Sequence, residues 1–192
     1  SNGAGSTGAV GGREIIGNTF NVNNHEWAVV SFNGSNTGVP WFVNTAKRQV
    51  RSPKVYIRDT GVLLRLQSIE SSAGLLAHPV VGASWEGFVI EQLSAILGSE
   101  PIHFWRTQQG AELDVFVQLD GRNYGIEIKR SSAPTMTKSI RVALEDLDLD
   151  HVAIAYPGPR RYQVDQKVSV VPLRDLLAGS TTSDLVGAIT GR

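Results

Sequence analysis

The sequence contains no cysteine among its 192 residues. Disulfide bonds, thiolate metal sites and cysteine nucleophiles are therefore excluded. The absence of cysteine fits a cytoplasmic protein, and we predict that location. No apolar run reaches the length of about 18 residues that a transmembrane helix needs, which predicts no membrane partner. The formal net charge is zero, so overall charge favours neither nucleic acid nor a membrane surface as a partner.

The composition changes along the chain and predicts three parts. Residues 1–38 are rich in Gly, Asn and Ser, which predicts a flexible or atypical amino-terminal segment. Residues 39–179 predict one domain, because a chain with 41% hydrophobic residues can bury a sizeable core. Residues 180–192 predict a carboxy-terminal tail, either a weak helix or a loose end. No G-x-x-x-x-G-K-[ST] phosphate-binding sequence occurs.

Hydrophobic periodicity predicts the order helix, strand, strand, strand, helix, strand between residues 79 and 156. This order predicts an α/β fold with a mixed sheet whose central strands form a hairpin. The predicted elements, with the flanking ones, are an extended strand at 25–32, an extended segment at 53–58, a helix at 59–66 capped by Asp59, a loop at 68–74, a helix at 79–97 closed by Gly98, strands at 102–107, 151–156 and 168–171, and helices at 137–147 and 173–177.

The hairpin occupies residues 110–131, GAELDVFVQLDGRNYGIEIKRS, with a turn at 120–123. Alternation makes one face of each strand apolar and leaves the other face polar. The polar face carries Asp114 on the first strand and Glu127 and Lys129 on the second. The hairpin can bring Asp114 close to Glu127, as in a metal site. The alternative is an ion pair between Asp114 and Lys129 on a solvated face, worth under about 1 kcal/mol.

The helix at 79–97 has an apolar face that includes Val81, Phe88, Leu93 and Leu97. At about 100° per residue, Glu86 falls within this face. A carboxylate on a buried helix face is costly unless it is paired or holds a metal ion. The alternative is that Glu86 lies at the margin of the face and reaches solvent.

Asp114, the Glu127-x-Lys129 pair, the preceding Glu86 and the element order together resemble the PD-(D/E)XK nuclease superfamily. Over about residues 40–177 the chain also resembles the carboxy-terminal domain of prokaryotic AAA-type ATP-binding proteins, a domain of unknown function. The segments that carry this second resemblance are PWFVNTAKRQVRSPKVYIRDTGVL, HPVVGASWEGFVIEQL, FWRTQQGAELDVFVQL and YGIEIKRSSAP. The ATPase module of that family is not part of this sequence, which predicts a stand-alone or truncated version.

The resemblance implies a restriction-endonuclease-like core of order αβββαβ and metal-dependent phosphodiester hydrolysis on DNA. Asp114 and Glu127 would bind Mg²⁺ or Mn²⁺, which prefer oxygen ligands, with the Ile128 carbonyl as a backbone ligand. Lys129 would orient the attacking water or help to deprotonate it, and it would stabilise developing charge. Glu86 would bind a second ion or hold a metal-bound water.

Basic residues near the hairpin and in a run at 47–58 are candidates for contact with a nucleic-acid backbone. Arg106 is equally suited to an ion pair with an acid on the sheet, and the basic run is equally suited to a solvated loop. The residues predicted to contact nucleic acid are Arg106, Arg130, Lys47, Arg48, Arg51 and Lys54.

Two functions remain open from the sequence. The first is a metal-dependent nuclease, favoured by the complete set of Asp114, Glu127 and Lys129. The second is a catalytically silent module that binds nucleic acid or docks on a partner such as an ATPase. By analogy with superfamily nucleases, a homodimer is also expected.

Overall fold

The computed structural model describes residue 54 and residues 56–191, with the backbone of three short strands before them. These strands are β1 (Phe20–Val22), β2 (His25–Trp27) and β3 (Val39–Pro40). Strands β1 and β2 pair antiparallel. The predicted strand at 25–32 is observed over its first three residues as β2, and its remainder lies outside the described residues.

A seven-stranded mixed sheet forms the centre of the fold, in the order β3-β4-β5-β6-β7-β9-β8. Neighbours are antiparallel at β4–β5–β6 and β8–β9, and parallel at β3–β4 and β6–β7–β9. The prediction of a mixed sheet with the hairpin β5–β6 in its centre is confirmed. The strands are β4 (His103–Arg106), β5 (Glu112–Leu119), β6 (Arg122–Ile128), β7 (His151–Tyr156), β8 (Tyr162–Asp165) and β9 (Val168–Pro172).

Six helices are described, and α3, β4, β5, β6, α4 and β7 follow one another in the predicted order. None of the helices in the described part of the chain combines the length and apolar character needed to span a bilayer. The helices are α1 (Thr60–Leu66), α2 (Ser72–Ala77), α3 (Val81–Leu97), α4 (Lys138–Asp146), α5 (Leu173–Leu176) and α6 (Thr182–Thr190).

Local capping residues explain where the predicted helices begin and end. Asp59 caps α1 by accepting the N–H of Val62, and Thr137 caps α4 in the same way. Gly98 closes α3 with a positive φ of 61°, which glycine adopts without strain. The predicted loop at 68–74 is wrong in its second half, because Ser71 caps the additional helix α2.

Residues 180–192 were predicted to form either a weak helix or a loose end, and the structure contains the helix α6. Thr181 and Asp184 form a reciprocal capping box at the start of α6. Leu185 and Ile189 of this helix are buried in the same apolar cluster as Val117 of strand β5. The helix therefore packs on the sheet.

Apolar side chains cover both faces of the hairpin β5–β6. One cluster joins α3 and α6 to residues such as Val117 and Ile126. A second cluster, on the other face, joins α4 to Phe116. A Cβ at Gly125 would lie 3.1 Å from Leu113 and 3.2 Å from Leu149, so this face is closely packed too. The prediction that one hairpin face is polar is therefore wrong over most of its length.

The segment from Lys54 to Arg58 has no regular secondary structure in its described residues and packs along α3. A Cβ at Gly87 would lie 3.3 Å from Cδ1 of Tyr56, so glycine permits this close approach. Arg58 donates from Nε to Oε2 of Glu91 at 2.8 Å. The segment is thereby held on α3 and points Lys54 toward the hairpin.

The buried face of α3 is consequently broader than its apolar residues predict. Leu93 and Leu97 are buried as expected, and so are Gly87 and Ile90. Phe88, expected on the buried face, is 36% exposed. The reason is that the segment at 54–58 covers α3 along Gly87, a contact that helical periodicity cannot reveal.

Candidate functional site

The candidate site lies at the end of the hairpin opposite its turn. Strands β5 and β6 pair from Leu119 and Arg122, next to the turn, as far as Val115 and Ile126. Beyond that pair the regular pairing of the two strands ends, and the polar residues of the site follow.

A β-bulge in strand β5 lies where the site begins. Between the paired residues His103–Phe116 and Trp105–Leu113, β4 advances by two residues and β5 by three. The extra residue falls in the stretch that contains Asp114. Bulges re-aim side chains and interrupt pairing. The bulge therefore explains why Leu113 and Phe116, three residues apart, pack in the same apolar cluster, and it changes the direction of Asp114 between them.

Asp114 uses its side chain where the strand ladder stops. Its Oδ2 accepts a hydrogen bond from the backbone N–H of Ile128 at 2.9 Å. The side chain is only 12% exposed. Burial raises the pKa of Asp114, and the negative charge of Glu86 raises it further, whereas the ammonium of Lys54 opposes both effects.

Glu127 and Lys129 form the second part of the site. Lys129 Nζ lies 2.5 Å from Oε1 of Glu127. Glu127 is 5% exposed, and its Oε2 has no hydrogen-bond partner among the described residues. Burial raises the pKa of Glu127 to about 7, and the charge of Asp114 contributes. Burial alone would lower the pKa of Lys129, but Glu127 and Asp114 raise it above its ordinary value.

Lys54 joins carboxylates from a helix and a strand. Its Nζ lies 2.9 Å from Glu86 Oε1 and 3.3 Å from Asp114 Oδ1, and it also forms an ion pair with Glu112. The ammonium lies 5.5 Å from the ring centroid of Phe104. Burial lowers the pKa of Lys54, but the charges of Asp114 and Glu86 outweigh burial and raise it. Lys54 is therefore a permanent cation of the site.

Two further side chains complete the surroundings of these carboxylates. The hydroxyl of Tyr56 donates a hydrogen bond to Glu86, and burial raises the pKa of Tyr56. Arg106 Nε lies 3.6 Å from Oε2 of Glu112. Of the two alternatives for Arg106, a nucleic-acid contact or an ion pair with an acid on the sheet, the structure contains the ion pair.

We call the four acids of the site, Glu86, Glu112, Asp114 and Glu127, the carboxylate cluster.

The structure resolves the alternatives for two of the predicted acids. Glu86 is bound by Lys54 and Tyr56 and so does not simply extend into solvent. Asp114 forms its ion pair with Lys54, and Lys129 forms its own with Glu127, so the cross-strand pair of Asp114 with Lys129 is replaced by two separate pairs.

Sequence reasoning missed Glu112 and Tyr56 and assigned Lys54 to a basic surface. Glu112 lies two positions before the predicted site residue Asp114, and in an extended chain this spacing places side chains on one face. The spacing was therefore a usable signal for Glu112. Tyr56 has the same spacing from Lys54, but no local pattern indicated that Lys54 belongs to the site. Arg130 is exposed, and the predicted contacts Lys47, Arg48 and Arg51 lie outside the described residues.

The donor atoms of the site suit a hard divalent cation such as Mg²⁺ or Mn²⁺, because they are carboxylate and carbonyl oxygens. Within residue 54 and residues 56–191, no three His, Asp or Glu side chains are already arranged to hold a metal ion. The observation that fits a cation is the buried Oε2 of Glu127, which lacks a partner beside a second acid, Asp114. These two carboxylates and the Ile128 carbonyl could hold one ion.

Two relatives of the chain come from mycobacteria. The Uncharacterized protein Rv2008c of Mycobacterium tuberculosis and the Uncharacterized protein Mb2031c of Mycobacterium bovis are each 51% identical to it over 150 residues. The matched region covers 78% of this chain and 34% of each relative, so the chain spans about a third of their length. No solved structure matches the chain.

One family of domains matches the part of the chain that contains the hairpin and its acids. The family is described as Domain of unknown function (DUF4143), and its match covers residues 81–176. That range is half of the 192 residues and includes α3 through α5. The chain therefore belongs to the DUF4143 family.

Proposed function

We propose that this domain is a metal-dependent nuclease that hydrolyses phosphodiester bonds in DNA, on a restriction-endonuclease-like core. The observation that supports the proposal best is the meeting of Asp114, Glu127 and Lys129 at the open end of the hairpin. There the bulge turns Asp114 onto the N–H of Ile128, next to the strand end that carries the other two residues. The element order from α3 to β7 is compatible with this proposal.

Each residue has a distinct chemical task in this function. Asp114, Glu127 and the Ile128 carbonyl would hold Mg²⁺ or Mn²⁺, which supplies an activated water and neutralises negative charge. Lys129 remains an ammonium, because Glu127 and Asp114 raise its pKa. It therefore acts as a positive charge that holds a phosphate oxygen and stabilises the anionic transition state, and not as a general base.

A cleavage assay with Mn²⁺ or Mg²⁺ on linear, branched and single-stranded DNA tests this function. Asp114→Asn and Lys129→Met should each reduce the rate on the order of 100-fold or more, because each removes a charge that acts on the transition state. Lys138→Met, on an exposed lysine at the start of α4, is the matched control and should cleave like the wild type. Absence of both Mn²⁺ binding and cleavage in the wild type would overturn the proposal.

A second function is favoured by one observation, the position of Lys54. Its ammonium neutralises acids of α3 and β5 without a metal ion. A catalytically silent domain could use such a self-neutralised site to bind DNA or to dock on an ATPase or another protein. In that case the wild type and Asp114→Asn would bind DNA alike and neither would cleave it.

Sedimentation of the wild type would test the homodimer that the nuclease analogy implies.

A further inference from the structure

We propose that Lys54 takes the place of a second metal ion, so that the site binds one divalent cation per chain. This inference rests on the proposed metal-dependent function. The ammonium of Lys54 then remains in the site as a permanent positive charge. The single divalent cation is bound by Asp114 and Glu127.

The contacts of Lys54 are those of a cation bound by several acids. Its Nζ lies 2.9 Å from Glu86 and 3.3 Å from Asp114, and it also pairs with Glu112. Sites with two metal ions hold them about 3.5–4 Å apart between shared acidic ligands. Asp114 is placed to be shared, since its Oδ1 meets Lys54 while its Oδ2 lies at the N–H of Ile128.

In the described part of the chain, the buried carboxylate oxygen without a partner lies on the other side of Asp114 from Lys54. Glu127 is 5% exposed, and its Oε2 has no hydrogen-bond partner among the described residues. A buried carboxylate oxygen without a partner is costly, and a cation removes that cost. The oxygens of Glu86 and Asp114 that face Lys54 are already bound. The carboxylate oxygens that face Lys54 are therefore occupied by its ammonium, whereas Oε2 of Glu127 can accept a cation.

The charge balance also favours one divalent ion. With all four acids ionised, as metal binding requires, the carboxylate cluster contributes four negative charges and its ion-paired partners contribute three positive charges, which leaves minus one. One divalent ion brings the sum to plus one, which complements a single phosphodiester group. A second divalent ion would bring the net charge of the site to plus three, more than a single phosphodiester group can balance. The three positive partners are Lys54, Arg106 and Lys129.

Lys54 is fixed in this position by its own segment. Tyr56, two residues later, packs on Gly87 and bonds to Glu86 through its hydroxyl. Arg58 is hydrogen-bonded to Glu91. The Lys54 side chain is 17% exposed, so solvent competes little for its ammonium. A second ion between Glu86 and Asp114 would have to displace the Lys54 ammonium, which favours binding of the single ion beside Glu127.

Calorimetric titration with Mn²⁺ measures the stoichiometry directly. The wild type should bind one ion per chain, and so should Lys138→Met, which removes an exposed lysine outside the site. Lys54→Met should bind two, because it frees Glu86, Glu112 and Asp114 for a second ion. In the double variant Lys54→Met with Glu112→Gln, the second ion should bind at least about tenfold more weakly, since one ligand is lost.

The outcomes separate this inference from the proposed function. Two ions in the wild type, or one in a folded Lys54→Met, would overturn the inference and leave the metal-dependent function standing. No Mn²⁺ binding by any variant would overturn both. If circular dichroism shows Lys54→Met to be unfolded, Lys54→Gln replaces it, because it also removes the positive charge but keeps a polar side chain. The wild type should again bind one ion and the variant two.

Discussion

Asp114 accepts the backbone N–H of Ile128 at 2.9 Å and so replaces a strand partner with a side chain. The two strands that carry these residues stop pairing at Val115 and Ile126. The carboxylate therefore serves the fold and the site together, because the same group that satisfies a backbone donor also meets Lys54.

The first prediction separates the hydrogen bond of Asp114 from its charge. Asp114→Asn keeps an acceptor for the N–H of Ile128, whereas Asp114→Ala leaves that donor without its partner. Loss of a partner for a buried donor costs about 1–3 kcal/mol. Urea denaturation should therefore show Asp114→Ala to be less stable than Asp114→Asn by about this amount. Equal stabilities of the two variants would show that the hydrogen bond contributes nothing.

The second prediction concerns the pH dependence of stability without metal ions. The pKa of Glu127 is raised in the folded state from 4.5 to about 7. Between pH 4.5 and about pH 7, the Glu127 carboxyl loses its proton in the unfolded chain but keeps it in the folded chain. The free energy of unfolding therefore falls as the pH rises. The fall is up to about 3 kcal/mol and ends above pH 7.

Glu127→Gln is the control for this pH dependence, because its amide does not titrate. Urea denaturation at pH 5 and pH 7.5 should show a fall in the wild type and a smaller fall, or none, in Glu127→Gln. Parallel profiles for the two proteins would contradict the assignment of this titration to Glu127.

The third prediction compares two glycines of helix α3. A Cβ at Gly82 meets nothing within 4 Å, so Gly82→Ala should stabilise the protein by up to about 1 kcal/mol through helix propensity. A Cβ at Gly87 would lie 3.3 Å from Tyr56, whose hydroxyl is held by Glu86. Gly87→Ala should therefore lower the melting temperature while Gly82→Ala raises it. Similar increases for both would show that Tyr56 moves freely.

The fourth prediction concerns the attachment of helix α6. Thr181 accepts the N–H of Asp184, and Thr181→Ala should cost about 1 kcal/mol of stability through loss of the cap. Ser183→Ala changes a neighbouring exposed hydroxyl and should have little effect. Thermal unfolding of the two variants makes the comparison. An equal loss in both would contradict a specific contribution from the cap.

Features that depend on neighbouring residues were predictable from the sequence. The helix starts at Asp59 and Thr137 follow from side chains that cap nearby N–H groups. The turn of the hairpin follows from Asp120 and Gly121, which adopt φ values of 51° and 73° that suit these residue types. The proximity of Asp114 to Glu127 and Lys129 followed from the hairpin, whereas the bulge that directs Asp114 to the N–H of Ile128 did not.

Features that depend on distant partners were not predictable. Strand β8 has only four residues, too few for a clear alternation, and its pairing with β9 defines it as a strand. The bulge in β5 depends on the register with β4. Lys54 meets Asp114 across 60 residues of sequence, so no local pattern distinguished it from the other basic residues around it.

The position of Lys54 also bears on how small a working version of this domain can be. The family match begins at residue 81, so Lys54 lies outside it. A protein shortened to residues 81–176 would keep all four acids of the carboxylate cluster but only Arg106 and Lys129 as their ion-paired cations. It would also lose α6. We therefore expect the smallest autonomous unit to begin before Lys54 and to extend through residue 190.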